Sequence, residues 1–223
     1  MEIFFRSKEE SNAAREAEFL EMEEVDRVLT YVRLMPSSTV LPHRNQIQAD
    51  RYNYEIIIDR NMDRWNEEIL KFVRLATKFG VRMILVGGGA VNFHGYQRHS
   101  ADVDFWIDTT DENFEKLIRV FQEMEYHLRE FPSEVKQGWK NISVKFNPAD
   151  LSLELITRFS LDKSFDEAYA AAEIVTMQGD SQIVKWHVIS YHDLIESKLK
   201  SLRSKDILDV QELERIRKNK EGK

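Results

Sequence analysis

Cysteine is absent from all 223 residues, which excludes disulfides and thiolate metal centres and points to a reducing compartment. No apolar run approaches membrane-spanning length, so no membrane segment is expected. Met1 to Arg6 is too short and too acidic for a signal peptide, and a cytoplasmic location is the expectation. A net positive charge is also lacking: the formal net charge of -7 argues against a chain that coats nucleic acid by bulk electrostatics. The basic tail of Arg215, Arg217, Lys218, Lys220 and Lys223 is interrupted by Glu212, Glu214 and Glu221, as in a solvated helix end. The histidines, at 43, 94, 99, 127, 187 and 192, show no metal-ligand spacing, and no internal repeat is visible.

What is present is enough apolar residue, 42%, for a real core, organised most simply as one domain with an appendage. The richest stretch runs from Met83 to Asp108. Val81 to Val86 is a short apolar run ended by Gly87, Gly88 and Gly89, which reads as a buried strand entering a tight turn. Without a Cβ, such a turn lets the backbone approach a ligand closely. Ala90 to His94 then makes one or two helical turns, whose first N–H groups form a ready anion site. In the strand that follows, alternation puts Val103, Phe105 and Ile107 on one face and Asp102 and Asp104 on the other. Two carboxylates so close call for a neutralising cation, and Mg²⁺ takes such hard oxygen ligands together with substrate phosphates. A solvated polar strand face is the plain alternative.

Gly88-Gly89, a spacer of twelve residues, then Asp102-Val103-Asp104-Phe105 resembles the signature of the DNA polymerase β-type nucleotidyltransferase superfamily. The intervening His94-Gly95-Tyr96, Arg98 and Ser100 resemble its small bacterial and archaeal branch, with Ser100 where threonine is usual. The resemblance covers roughly residues 65 to 215. It implies a third carboxylate on a neighbouring strand. Leu151 to Thr157 alternates as that strand, which makes Glu154 the candidate and Asp150 its rival; the family more often has aspartate there. The catalytic and metal-binding set so implied is Asp102, Asp104 and Glu154, holding two Mg²⁺ ions, with Mn²⁺ as a substitute. Gly87, Gly88, Gly89, Arg98, Ser100 and Lys198 are the implied nucleotide-binding residues. For Arg98 a loop-fastening pair with nearby aspartates is an equal alternative. Lys198 lies in Ile189 to Asp209, which resembles the C-terminal Leu-Ile-x-x-Lys…Arg-x-Lys-Asp-x-x-Asp element of these minimal transferases; Arg203, Lys205, Asp206 and Asp209 read as an exposed charge network. His94 is expected to pack against the sheet with its ring hydrogen-bonded, and His99 to be a solvated loop residue.

The expected architecture is α/β of the α+β type: a nucleotidyltransferase fold whose mixed sheet has flanking helices, a helical N-terminal extension and a helical C-terminus. Residues 1–60 form the extension and linker, and residues 61–223 the nucleotidyltransferase domain. Ser7 to Leu34 reads as one or two amphipathic helices ended before Pro36, and Tyr54 to Asp59 as an edge strand or an extended lead-in. Asn61 to Phe79 reads as a helix closed by Gly80, and Asp111 to Glu125 as another. Tyr126 to Phe131 and Asn141 to Phe146 are strand candidates; Ile174 to Met177 and Ile183 to Val188 form a hairpin.

Three functions follow as expectations. The first is Mg²⁺-dependent transfer of NMP from an NTP to a hydroxyl on tRNA or other RNA, protein or a small molecule; enzymes of this branch resemble toxins of toxin–antitoxin or defence modules. The second is a catalytically weak nucleotide-binding regulator. The third is an interaction or antitoxin-type protein that uses its N-terminal helices to hold a partner or a second copy of itself.

Overall fold

The computed structural model describes residues 16–28, 54–57, 65–98, 102–145, 152–178 and 183–221. Residues 16–21 and 24–28 are helical and belong to α1 and α2. The chain then gives β1 (Tyr54–Ile57), α3 (Trp65–Phe79), β2 (Met83–Leu85), α4 (Gly87–Phe93), β3 (Asp102–Ile107), α5 (Asp111–Glu123), α6 (Ser133–Lys136), β4 (Ile142–Lys145), β5 (Ser152–Ile156), α7 (Phe165–Ala171), β6 (Glu173–Gln178), β7 (Ile183–Val188), α8 (Tyr191–Ser201) and α9 (Ser204–Glu221). Together they make a mixed α/β fold in which helices flank one seven-stranded sheet of order β1-β4-β5-β3-β2-β7-β6. Among the described residues no helix is long and apolar enough to cross a membrane.

The pairing puts β3 between antiparallel β2 and parallel β5 at the middle of the sheet. Central strands bury both faces, and β3 does so along most of its length: Val103, Phe105, Trp106 and Ile107 are buried. Phe72 of α3 lies against Phe105 and against Phe121 of α5, so the two helices cover the face opposite Asp102 and Asp104. On the aspartate face Trp106 stacks on Phe159 and meets Phe165 edge-on, which closes the far end of the strand.

Helix ends follow their sequence signals. At the end of α3, Gly80 takes φ +65, with Gly80 N–H donating to Thr77 O at 3.1 Å and Val81 N–H to Ala76 O at 2.9 Å. Those two bonds close the last turn in the Schellman pattern and aim the chain straight into β2. Met62 and the rest of 61–64, the expected first turn, lie outside the described residues. α5 is capped by Thr110, and α8 by Ser190, whose hydroxyl accepts the Asp193 amide. Leu202, at φ 53, ends α8 and splits the C-terminal segment into a helix pair.

Two segments differ from expectation, and one open reading is settled. Tyr126 to Phe131 is irregular backbone, not a strand: Tyr126 N–H donates back to Phe121 O at 2.8 Å, and Phe131 buries against Phe114 and Phe121. Its apolar residues are spent covering α5 instead of extending the sheet. β1 settles the ambiguity at Tyr54 as an edge strand parallel to β4, so part of the segment assigned to 1–60 joins the sheet. The helix after the glycines begins at Gly87 itself and not at Ala90, because Val86 supplies the extended N-cap.

Residues 16–28 dock on the domain through a buried arginine. The Arg27 guanidinium donates to Phe93 O at 3.1 and 2.9 Å and to Met22 O at 2.8 Å. Phe93 is the last residue of α4, so Arg27 places its charge at the C-terminal, negative end of that helix. Phe19 and Val28 are buried beside it. Arg27→Met leaves the Phe93 carbonyl buried without these donors and is expected to destabilise the fold by roughly 2 to 4 kcal/mol, read from chemical denaturation. An unchanged midpoint would show that 16–28 is not an integral part of the domain.

Candidate functional site

Two strand neighbours bring the acidic residues together. β3 and β5 run parallel, with Asp102 opposite Ser152 and Asp104 opposite Glu154. In that register, cross-strand neighbours lie side by side on one face. Glu154 therefore stands beside Asp104, as expected of the third carboxylate; Asp150 lies outside the described residues. All three side chains are partly buried. Their charges act on one another: burial, then Asp102, then Glu154 push the Asp104 carboxyl up to about 7. A carboxylate held this far above its ordinary range stores a demand for positive charge.

The glycine turn closes on the same group. Gly87 sits at φ +58, and a Cβ there would stand 1.9 Å from Oδ2 of Asp104. The backbone of the turn thus lies directly against the carboxylate, an approach only glycine permits. Val86 N–H donates to Asp104 O at 2.9 Å, which ties the entry of α4 to the aspartate strand. Gly88 and Gly89 occupy the first turn of α4, where amide groups have no partner one turn back.

Arg98 and Lys198 are placed differently from a free nucleotide contact. The Arg98 guanidinium pairs with Asp209. Lys198 is buried, with its ammonium 2.9 Å from Asp206 and 2.7 Å from Asp209. Asp209 thus joins the loop after α4 to both C-terminal helices. Burial alone would push the Asp206 carboxyl up, yet hydrogen bonds from Ser201, Lys198 and Arg203 outweigh it and bring it to about 2. The expected exposed charge network is, at Asp206 and Asp209, a buried one. Ser100 and His99 lie outside the described residues. His94 is placed as expected: its Nε2 donates to Ile189 O at 2.9 Å and its ring meets Phe93 and Tyr191 edge-on.

Asn92 was not singled out by sequence reasoning. It is buried, donates to Gly88 O at 2.9 Å and Arg98 O at 2.7 Å, and accepts from Arg98 N–H at 3.2 Å. One side chain thereby fastens the glycine turn to the loop that leads into β3. A polar residue between Val91 and Phe93, four places after Gly88, was the available signal.

Whether these residues suit a divalent cation is answered by the donor set. It is all carboxylate oxygen, the preferred ligand of Mg²⁺, and its mutual repulsion is the condition a cation relieves. Among the described residues no group of three or more His, Cys, Asp or Glu is arranged to hold a metal ion. Mg²⁺ commonly takes one or two carboxylates and completes its shell with water and substrate phosphates, so the set fits an ion that arrives with a nucleotide.

No known protein-family model matches the chain, and no curated protein sequence matches it.

Proposed function

We propose that the protein is a metal-dependent nucleotidyltransferase that moves NMP from an NTP to a hydroxyl acceptor. The observation that carries this reading is the register of β3 on β5, which sets Glu154 beside Asp104, the residue whose carboxylate the glycine turn is pressed against. Asp102, Asp104 and Glu154 would hold two Mg²⁺ ions, or Mn²⁺ in their place. When bound, the ions neutralise the triphosphate and favour the ionised form of the acceptor hydroxyl.

The chain's own residues do the rest. Gly87 to Gly89, whose turn lies against Asp104, would present first-turn amides to the phosphate oxygens. Glu154, or water beside it, takes the acceptor proton. The acceptor oxygen forms a bond to the α-phosphorus while the bond from that phosphorus to the oxygen bridging to the β-phosphate breaks, and pyrophosphate leaves. Asn92, Arg98 and Asp209 hold the loop that delivers Asp102, so much of the rate comes from positioning.

The acceptor classes are RNA (tRNA included), protein and small molecules, and a toxin or defence role remains part of the proposal for the RNA and protein cases. Purified protein incubated with cell RNA and lysate should pass label from an α-labelled NTP, and not from a γ-labelled one, to one acceptor class. Label from the γ position, or none from either, would defeat the proposal.

A further inference from the structure

One long edge of the sheet is open among the described residues. β6 ends the order β1-β4-β5-β3-β2-β7-β6 and pairs along its whole length with β7, from Glu173 opposite Val188 to Gln178 opposite Ile183. On the far side of β7, Leu85 of β2 faces Val188 and accepts the Ile189 N–H on its carbonyl at 3.0 Å. In a parallel pair one residue bonds to the two that flank its partner, so His187 and Ile189 turn their peptide groups toward β2. Val184, Trp186 and Val188 then turn theirs toward β6, where they meet Met177, Val175 and Glu173. Left on the outer edge of β6 are the N–H and C=O groups of Ile174, Thr176 and Gln178.

This edge carries none of the usual devices that keep edges apart. Its sequence, Glu-Ile-Val-Thr-Met-Gln, contains no lysine and no proline, and its register with β7 has no bulge. Ile174 is 62% exposed, and Thr176, on the same face, is exposed as well. Unpaired peptide groups flanked by exposed β-branched side chains are a template for one more strand. The opposite edge strand, β1, has four residues against six here. A contact of β6 with β1 of another copy would be head-to-tail and open-ended, whereas β6 on β6 closes as a two-fold pair.

The strand is also complementary to itself. An antiparallel pair exchanges bonds only between residues whose peptide groups face outward, which leaves few registers. Centred on Thr176, the pairing sets Thr176 opposite Thr176 of the second copy and Ile174 opposite its Gln178, and it uses every outward N–H and C=O. Val175 then comes opposite Met177. Glu173, the one charged residue of the strand, falls beyond the end of the second copy's β6, so no like charges meet.

We propose that the chain self-associates through β6, which pairs antiparallel with β6 of a second copy about a two-fold axis at Thr176 and makes one continuous sheet. This inference is independent of the nucleotidyltransferase reading. Sedimentation equilibrium of the full chain over a micromolar concentration series should give a mass approaching twice that of one chain. Thr176→Pro removes an N–H that points away from β7, so the β6–β7 pairing survives while the outer edge loses its central donor. That variant should stay monomeric with an unchanged circular-dichroism spectrum. Thr176→Lys and Thr176→Glu each set like charges opposite one another and should weaken self-association by roughly five-fold, whereas an equimolar mixture of the two should associate more tightly than either alone. A monomer at every concentration overturns the proposal. So does a Thr176→Pro protein that dimerises like the unsubstituted chain, or a mixture that associates no more tightly than its components.

Discussion

Asp104→Asn is expected to lower nucleotidyl transfer by about a thousand-fold, since several kcal/mol of metal-borne charge stabilisation goes with it and each 1.36 kcal/mol is tenfold. The same substitution should stabilise the protein in the absence of metal above pH 7. Burial, Asp102 and Glu154 push the Asp104 carboxyl from its ordinary 3.8 up to about 7. The folded state therefore binds a proton that the unfolded chain has released, and stability falls as pH rises between those two values. Above about pH 7 the full cost of an ionised, crowded carboxylate is present; below about pH 4 it is absent. Asparagine has no charge to crowd, so the variant should gain on the order of 2 kcal/mol over the natural chain at pH 8 and close to nothing at pH 4. Denaturation in chelator at the two pH values measures it. Equal differences at both would show that Asp104 carries no strained charge.

The second large effect is expected at Gly87. An alanine Cβ there meets Oδ2 of Asp104 at 1.9 Å, and its backbone must keep φ +58. A methyl group in that space has to push the carboxylate aside, and the left-handed backbone adds roughly 1 to 2 kcal/mol of strain. Transfer should fall about a hundred-fold or more, because displacing a catalytic group by an ångström costs that much. Gly89→Ala is the informative contrast. Its Cβ would meet Cδ1, Cγ and Cδ2 of the buried Leu85 at 2.9, 3.2 and 3.3 Å, so that side chain must give, but it leaves Asp104 alone. Alanine is also the better helix former. Gly89→Ala should lower activity less than Gly87→Ala does, and a pair of variants with equal activity would remove the close approach of turn and carboxylate from the account.

How far the site was legible from sequence depended on whether its geometry was local. The alternation that puts Asp102 and Asp104 on one face of β3 is a property of the strand itself, and the structure agrees with it: Val103, Phe105 and Ile107 are all buried. Gly80 as a helix end and the β6–β7 hairpin were legible for the same reason. That Glu154 stands beside Asp104 depends on a pairing register between strands far apart in the chain, which no local pattern fixes. The burial of Lys198 was hidden as well. Read along the chain, Arg203, Lys205, Asp206 and Asp209 are an exposed charge network and Lys198 a phosphate contact; only the break at Leu202 folds α9 back on α8 and brings Asp206 and Asp209 to Lys198. Tyr126 to Phe131 carried enough apolar and aromatic residues for a strand, and contact with α5 decided otherwise.

The docking of residues 16–28 also bears on function. A segment that serves only to hold a partner has no need of a guanidinium buried against the end of α4, the helix whose other end adjoins Asp104. The described part of the N-terminal region is built into the domain.

The most direct test of the central claim is the anomalous scattering of Mn²⁺ in crystals grown with a non-hydrolysable NTP. The account predicts manganese bound by Asp102, Asp104 and Glu154, with the triphosphate against Gly87 to Gly89. Manganese absent from those carboxylates, or a nucleotide seated elsewhere on the protein, would contradict it.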